Sequence, residues 1–487
     1  MPDWELLITE HALASVFPDA YARYVRPIRA ALLVFLQGLP AAHQAEILER
    51  QASLPPAATF SQRLGLLARS CPALHKLGQV LARDRRLPAG FRVQLQQLES
   101  LPSTLSWAAI RDLLTRELGP LERLGVTLAP PALAEASVAV VVPFRHRGHA
   151  GEHRPPHGVF KILKPNIQQR LELELELLQQ VGSHLDQRCD DFRIPHLDYQ
   201  EVIQQVGDRL RHETRLDLEQ RHLVAARAVY RGDPQVQIPE LFEHCTPRVT
   251  AMERVVGHKV TEHRLKSPSR QRWLAGVVIG ALIARPVFSK AGGALFHGDP
   301  HAGNLMFTED RRLAILDWSL VGSLAEKERV AIAQITLGAL TLDSDRIVAA
   351  IASLAQRPTV DRTALRAIVR AGLRRVRCGH FPGLIWQIDM LDEAVKNARL
   401  RVGADLMLFR KTLHSLQGVI GDLGALEQRI DDALSREFLH HLFGEWPRRL
   451  LAPADSRAFA TRLSNVDLAQ LVVSLPWTAF QLWPPSP

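Results

Sequence analysis

The sequence predicts an α+β chain in which a small sheet-bearing lobe precedes a largely helical one, with a helical extension in front of both. Three observations carry this. Leu, Ala and Val recur at three- and four-residue intervals from the N-terminus to about residue 125. The pattern then changes to two short β-rich runs, Val138–Val142 and Val159–Leu163. Helical periodicity returns after Gly322 and holds almost to the end.

Taken in order, the extension is punctuated by Pro-containing breaks near 55, 88 and 102. The two strand-like runs are separated by a stretch rich in Gly, His, Arg and Pro, about 145 to 158, which reads as a loop. Pro165 suits the first turn of a helix. The run that follows, Leu171-Glu-Leu-Glu-Leu-Glu-Leu-Leu178, alternates like a strand. It is nonetheless expected to be helical, because Leu171, Leu175 and Leu178 share one helical face and both Leu and Glu favour helix.

A second helix is expected over Tyr199–Tyr230, strands over Val236–Phe242 and Arg248–Glu253, and a long helix through Trp273–Ser289. Leu305–Phe307 and Leu313–Leu316 should form a hairpin around Thr308–Arg311 and present Asp317 at its end. The expected organisation is a helical extension over 1–124, a sheet lobe with inserted helices over 125–256, a helical lobe over 257–450 and a tail over 451–487.

Composition bounds the function. With 487 residues, 46% hydrophobic and 23% charged, the chain is neither broadly disordered nor a polytopic membrane protein. Sixty Lys and Arg against fifty-one Asp and Glu give +9, which suits phosphate or anionic lipid. Only four Tyr and no aromatic–basic interleaving argue against nucleic acid as a partner. Cys71, Cys189, Cys245 and Cys378 lie far apart with no C-x-x-C pair, so neither a zinc cage nor a disulfide framework is expected.

Asp3 and Glu5 precede any apolar run, unlike a signal peptide. Ala30–Leu39 and Leu468–Trp483 fall short of the roughly 20 residues a spanning helix needs. The expected location is the cytoplasm, with peripheral contact at the inner face of the membrane.

The chemistry concentrates in Phe296-His-Gly-Asp-Pro-His-Ala-Gly-Asn304, followed thirteen residues later by Asp317-Trp318-Ser319. Phosphoryl transfer asks for positioning and charge neutralisation more than covalent help. An aspartate five residues before an asparagine, with a second acid after a short hairpin, supplies a base and two magnesium ligands. Asp299 is the candidate base, and Asn304 and Asp317 are the candidate Mg²⁺ ligands. Lys161, within its strand, is the candidate phosphate-binding lysine; Lys164 is the weaker candidate, three residues on and before Pro165. His297 and His301 are read as structural.

These motifs, with Lys76-Leu-Gly-Gln79 in the extension, resemble the UbiB/AarF family of atypical protein-kinase-like proteins over roughly residues 70 to 325. The loop Ala134-Glu135-Ala136-Ser137 resembles the alanine-rich loop by which that family replaces a glycine-rich one. Glu213 and Glu219 match its pair of helix glutamates six residues apart. The resemblance implies a protein-kinase-like two-lobed fold that takes ATP and Mg²⁺.

In that reading Lys161 pairs with Glu219 at the phosphates, and Ala134, Ala136, Ser137 and Glu253 join Lys161 as cofactor-binding positions. Lys76, Gln79 and Glu213 gate the site against protein substrates. The resemblance also implies a role in ubiquinone or other isoprenoid-lipid metabolism, with lipid and quinone-biosynthesis proteins as partners. It says nothing of oligomeric state.

Three positions depart from the family pattern: Arg215 where an acid usually stands, Glu135 inside the alanine loop, and Trp318-Ser319 in place of Phe-Gly. The His-Gly-Asp and Ile-x-Asp-Trp patterns also resemble small-molecule phosphotransferases of the aminoglycoside or choline kinase type, but Lys76–Gln79 and the long extension favour the first family. A silent nucleotide- and lipid-binding protein is a third reading. Arg362, Arg366, Arg370 and Arg374, with Arg375 and Arg377 beside them, would give one helix a basic face suited to anionic lipid.

Overall fold

The structure, a computed structural model, describes residues 4–17, 19–81, 105–135, 138–146, 157–195, 198–262, 267–357, 359–424 and 430–482. They fall into two compact units, Met1–Val224 with Pro239–Arg254, and Ala225–Ile238 with Val255–Pro487.

The first unit has a helical part and a sheet. The alternating Leu/Glu run is helical, within Ile167–Gln187, and Leu171, Leu175, Leu177 and Leu178 are buried. They share a core with Leu33, Phe35 and Leu36 of the helix Val25–Gly38. The sheet comprises β1 (Val126–Leu128), β2 (Ala134–Glu135), β3 (Ala139–His146), β4 (His157–Leu163) and β6 (Val249–Glu253). Its order is β1-β3-β4-β6, with β2 also on β3 and every pair antiparallel. The expected loop narrows accordingly: β3 runs on to His146, β4 starts at His157, and 147–156 lie outside the described residues.

Phe144 and Phe160 stack at 4.2 Å in the core on one side of the sheet, with Ile162 and Phe242. Gly158 stands opposite Phe144, where a Cβ would strike the ring. Since side chains alternate along a strand, placing Phe160 and Ile162 in this core puts Lys161 on the other face.

The helix expected over Tyr199–Tyr230 is two helices, Tyr199–Glu213 and Leu216–Val229. Thr214 ends the first by donating its hydroxyl to Arg211 O at 2.8 Å, a local bond that competes with helix continuation. Arg215 turns aside to hold both carboxylate oxygens of Asp217 at 2.9 Å. The strand expected over Val236–Phe242 is also divided. Only β5 (Val236–Gln237) is a strand, in the second unit, while Leu241 bridges to Met252 in the first. Pro239 between them has no N–H to give a ladder.

In the second unit β5 runs parallel to β10 (Leu313–Ile315). That strand pairs with β9 (Leu305–Thr308), and β9 with β7 (Gly257–Lys259). The expected hairpin is therefore present, and it ends at Asp317. A separate ribbon, β8 (Gly293–His297) with β11 (Val321–Ala325), was not foreseen: the chain after Gly322 stays extended to Ala325 before turning helical. Gly322 sits opposite Phe296, whose ring fills the space of a Cβ.

The helix expected through Trp273–Ser289 runs from Pro268 to Ile279, widens into a π-turn over Gly280–Ala284 and closes at Arg285–Val287. Pro286 lies in that last turn and carries no N–H, a usual reason for irregular helix bonding. From Glu326 onward the unit is helical, ending with Asn465–Leu482.

Candidate active site

In the first unit Lys161 Nζ donates to both oxygens of Glu219, each at 2.8 Å. Glu219 lies in the first turn of Leu216–Val229 and is 4% exposed. A charge-assisted pair shielded from water is strong and fixes the lysine's direction. The helix break at Thr214 gives Glu219 this place in a first turn, where a carboxylate also meets the positive end of the helix dipole.

A second pair links Lys76, on the helix Pro72–Leu81, to Glu213 at the end of Tyr199–Glu213. Gln79 follows Lys76 in its helix, its side chain outside what the structure describes. The same helix is anchored at its start by Glu174, whose Oε2 accepts from Ala73 N at 2.9 Å. Burial raises the Glu174 carboxyl to about 7.

The alanine loop is only partly described. Ala134 and Glu135 form β2, and Ala136 and Ser137 lie outside the described residues. Glu135 meets Lys164 at 2.7 Å, so the carboxylate that interrupts the loop has a cation beside it. Burial lowers the Lys164 ammonium, and Glu135 opposes that shift. Glu253, at the end of β6, accepts from Glu240 N at 3.2 Å and donates its own N–H to Glu240 O at 2.7 Å.

In the second unit His297 organises the motif. It is 1% exposed. Its Nδ1 accepts from Asp299 N at 3.2 Å, so the proton belongs on Nε2, which bonds Leu316 O at 3.0 Å. One neutral imidazole thus ties the backbone of Asp299 to the residue before Asp317. Burial pushes the His297 pKa below its usual value, against the pull of both aspartates. His301 is a local cap, its Nδ1 accepting from Gly303 N at 3.0 Å.

Asn304 donates its amide nitrogen to Asp299 O at 3.2 Å, which leaves Oδ1 as its coordinating atom. Asp317 has φ 53°, a left-handed conformation that a non-glycine residue adopts only when its surroundings impose it. Trp318 supplies that constraint. It is 1% exposed, donates to Ile315 O at 3.1 Å and packs edge-on against His297 at 4.9 Å. Ser319 donates its N–H to Asp317 Oδ1 at 3.2 Å. The Trp-Ser departure therefore serves as an anchor on one side of Asp317 and a backbone donor on the other. A carboxylate and an amide oxygen are hard donors of the kind magnesium takes.

Sequence reasoning missed Lys411, on the helix Ala404–Asp422, whose Nζ lies 3.6 Å from Asp299 Oδ1. No motif marks a lysine more than a hundred residues downstream. His43, Cys71 and Glu174 also bring ligand atoms within 4.8 Å of one another. Arg170 lies among them, donating to Ser70 O and contacting His43, and burial pushes the Cys71 thiol up. A guanidinium in that place opposes a metal ion.

Fold and motifs together define a protein-kinase-like chain. The ABC1 atypical kinase-like domain matches residues 97–351, just over half of the sequence, and the chain belongs to this family, the UbiB/AarF group. A "Probable protein kinase UbiB" from Histophilus somni (strain 129Pt) is 28% identical over 286 residues, 57% of this chain and 51% of its own. "Protein ACTIVITY OF BC1 COMPLEX KINASE 1, chloroplastic" from Arabidopsis thaliana is 26% identical over 273 residues, 55% of this chain and 38% of its own. The chain spans about half the length of the first of these relatives and less of the second. A solved structure, the Rv3197–erythromycin complex from Mycobacterium tuberculosis, aligns with 78% of this chain and 93% of its own at 18% identity and a TM-score of 0.46, too loosely to bear on function.

Proposed function

We propose that this chain binds Mg-ATP and acts as a UbiB-like atypical kinase or ATPase that supports ubiquinone or other isoprenoid-lipid metabolism at a membrane surface. The observation that carries the reading is the doubly bonded Lys161–Glu219 pair. Held this way, the lysine presents a fixed positive charge to nucleotide phosphates. Asn304 Oδ1 and the Asp317 carboxylate would hold magnesium, which when bound neutralises phosphate charge. Asp299, beside Lys411, orients or accepts the proton of the attacking hydroxyl or water.

The membrane part rests on the helix Arg362–Arg377. Leu365, Val369, Leu373 and Val376 are buried, whereas Arg362, Arg366, Arg370, Arg374, Arg375 and Arg377 are all exposed. Among the described residues none of the six has a carboxylate partner. Each basic residue at an anionic surface contributes about 1 kcal/mol. Among the described residues no single helix is long and apolar enough to cross a membrane.

The test is phosphate release from Mg-ATP by the purified chain, with and without vesicles containing anionic lipid. Turnover that rises with the vesicles and disappears in Asp317→Asn supports the reading. Release that Asp317→Asn leaves intact, or that demands an added aminoglycoside or amino alcohol, refutes it.

A further inference from the structure

The helix Ile430–Gly444 runs almost unbroken into Trp446–Leu451, because Glu445 N donates to His441 O and Arg449 N to Glu445 O, each at 3.0 Å. Over this stretch its polarity is inverted. Glu445 and Arg449, one turn apart, are buried. The Glu445 carboxylate accepts from Ala460 N at 3.0 and 3.2 Å. Arg449 donates to Leu463 O at 3.0 Å and lies over the Phe459 ring at 3.9 Å. The two charges fasten the helix to residues 459–463, whereas an amphipathic surface helix turns its charges to water.

Apolar side chains face outward instead. Leu439, Phe443, Trp446 and Leu450 recur at i, i+4, i+7 and i+11 and therefore share one face. They are 47%, 70%, 55% and 72% exposed, and Leu451 at the end of the row is 90% exposed. Single exposed hydrophobic residues are ordinary, but a row of them on one helix marks a surface that meets an apolar partner.

Charge selects the partner. Over residues 438–454 the one carboxylate is the buried Glu445, and the exposed guanidinium is that of Arg448. The row also starts near the end of the basic helix Arg362–Arg377: Leu439 lines the same cavity as Phe381, which stands just past Arg377 in the chain. Trp among Leu and Phe, with basic groups alongside and no exposed acid, is the composition of a helix that lies in the boundary between lipid headgroups and acyl chains.

We infer that Leu439, Phe443, Trp446, Leu450 and Leu451 insert into the headgroup boundary of an anionic bilayer, with the basic helix engaging headgroups beside them. The assignment rests on the membrane part of the proposed function and adds to it an apolar anchor that salt does not screen; it is independent of the Mg-ATP part.

The probe is a vesicle of phosphatidylcholine and phosphatidylglycerol, cosedimented with the full chain at low salt and at about 1 M salt, where the screening length falls to about 3 Å. Wild type should bind at low salt and stay partly bound at high salt. Phe443→Ser combined with Leu450→Ser, both at exposed positions, should weaken the high-salt binding at least about tenfold. Vesicles with bromine on the lipid chains should quench part of the wild-type tryptophan emission. Trp446→Phe, which keeps the row apolar, should lose that quenching and still bind. Low-salt binding that high salt abolishes, or that the double variant retains in full at both salts, would overturn the insertion and leave the membrane reading standing. Quenching unchanged in Trp446→Phe, or a wild-type dimer that the double variant dissociates without loss of vesicle binding, would likewise overturn it. No binding by wild type at either salt would overturn both. Should the double variant fail to fold, the high-salt binding of wild type and the quenching of Trp446→Phe decide alone.

Discussion

Lys164 Nζ lies 2.7 Å from Glu135 Oε1, so the acid that breaks the alanine loop is neutralised by the lysine that does not pair with Glu219. The two lysines thus divide their work: Lys161, within β4, serves the helix glutamate Glu219, and Lys164, just past the strand, serves the departure. Lys164→Met should leave the buried Glu135 carboxylate without this partner and destabilise the fold by about 3 kcal/mol. Adding Glu135→Gln to that variant should restore most of the loss. Urea unfolding of the single and double variants measures both, and additive losses would rule out the division of work.

Lys76 and Glu213 join the extension helix to the helix that precedes Glu219. Both side chains are partly exposed, so their coupling should be modest, about 1 kcal/mol in a double-mutant cycle of Lys76→Ala and Glu213→Ala. Zero coupling would mean that the contact does no more than coexist with the fold.

Glu174 gives the extension a pH signature. Its carboxyl is raised by burial from 4.5 to about 7, so the folded state keeps a proton that the unfolded chain releases. That contribution to stability is fully present below about pH 4.5 and is lost as pH rises through about 7. Glu174→Gln stays neutral and keeps an acceptor for Ala73 N, so it should escape the loss. The stability of wild type relative to Glu174→Gln should therefore fall by about 2 kcal/mol between pH 5 and pH 8. Parallel stability curves across that range would contradict the assignment.

Gly322 lets the Phe296 ring lie across β11, and β8 continues directly from Phe296 into His297. Gly322→Ala should cost about 2 kcal/mol by overpacking. Gly322→Ala combined with Phe296→Leu should recover part of it, as thermal unfolding would report. A neutral Gly322→Ala would show that the ribbon yields without strain.

Some of this was readable from residue spacing and some was not. Lys161 and the hairpin ending at Asp317 follow from local pattern, because the strand period fixes which residues share a face, whereas Glu219 is named only by the family resemblance. The Leu/Glu run, which alternates like a strand, was readable as helix because Leu171, Leu175 and Leu178 share one helical face and both Leu and Glu favour helix. The division of Val236–Phe242 between two units was not, because Pro239 marks a ladder's end without saying where the chain goes next. Nor was the β8–β11 ribbon, whose two strands are each five residues long and pair across the whole motif. The partners of Asp299 and Glu135, Lys411 and Lys164, are set by tertiary packing that no short-range signal encodes.

The most direct test of the account is magnesium-dependent ATP binding, measured by calorimetry on wild type, Lys161→Met and Asp317→Asn. Wild type should bind ATP with magnesium and at least tenfold more weakly without it. Lys161→Met should weaken binding with or without the metal, while Asp317→Asn should remove the magnesium dependence and stay folded. Equal ATP affinity in all three proteins, or no ATP binding by folded wild type, would contradict it.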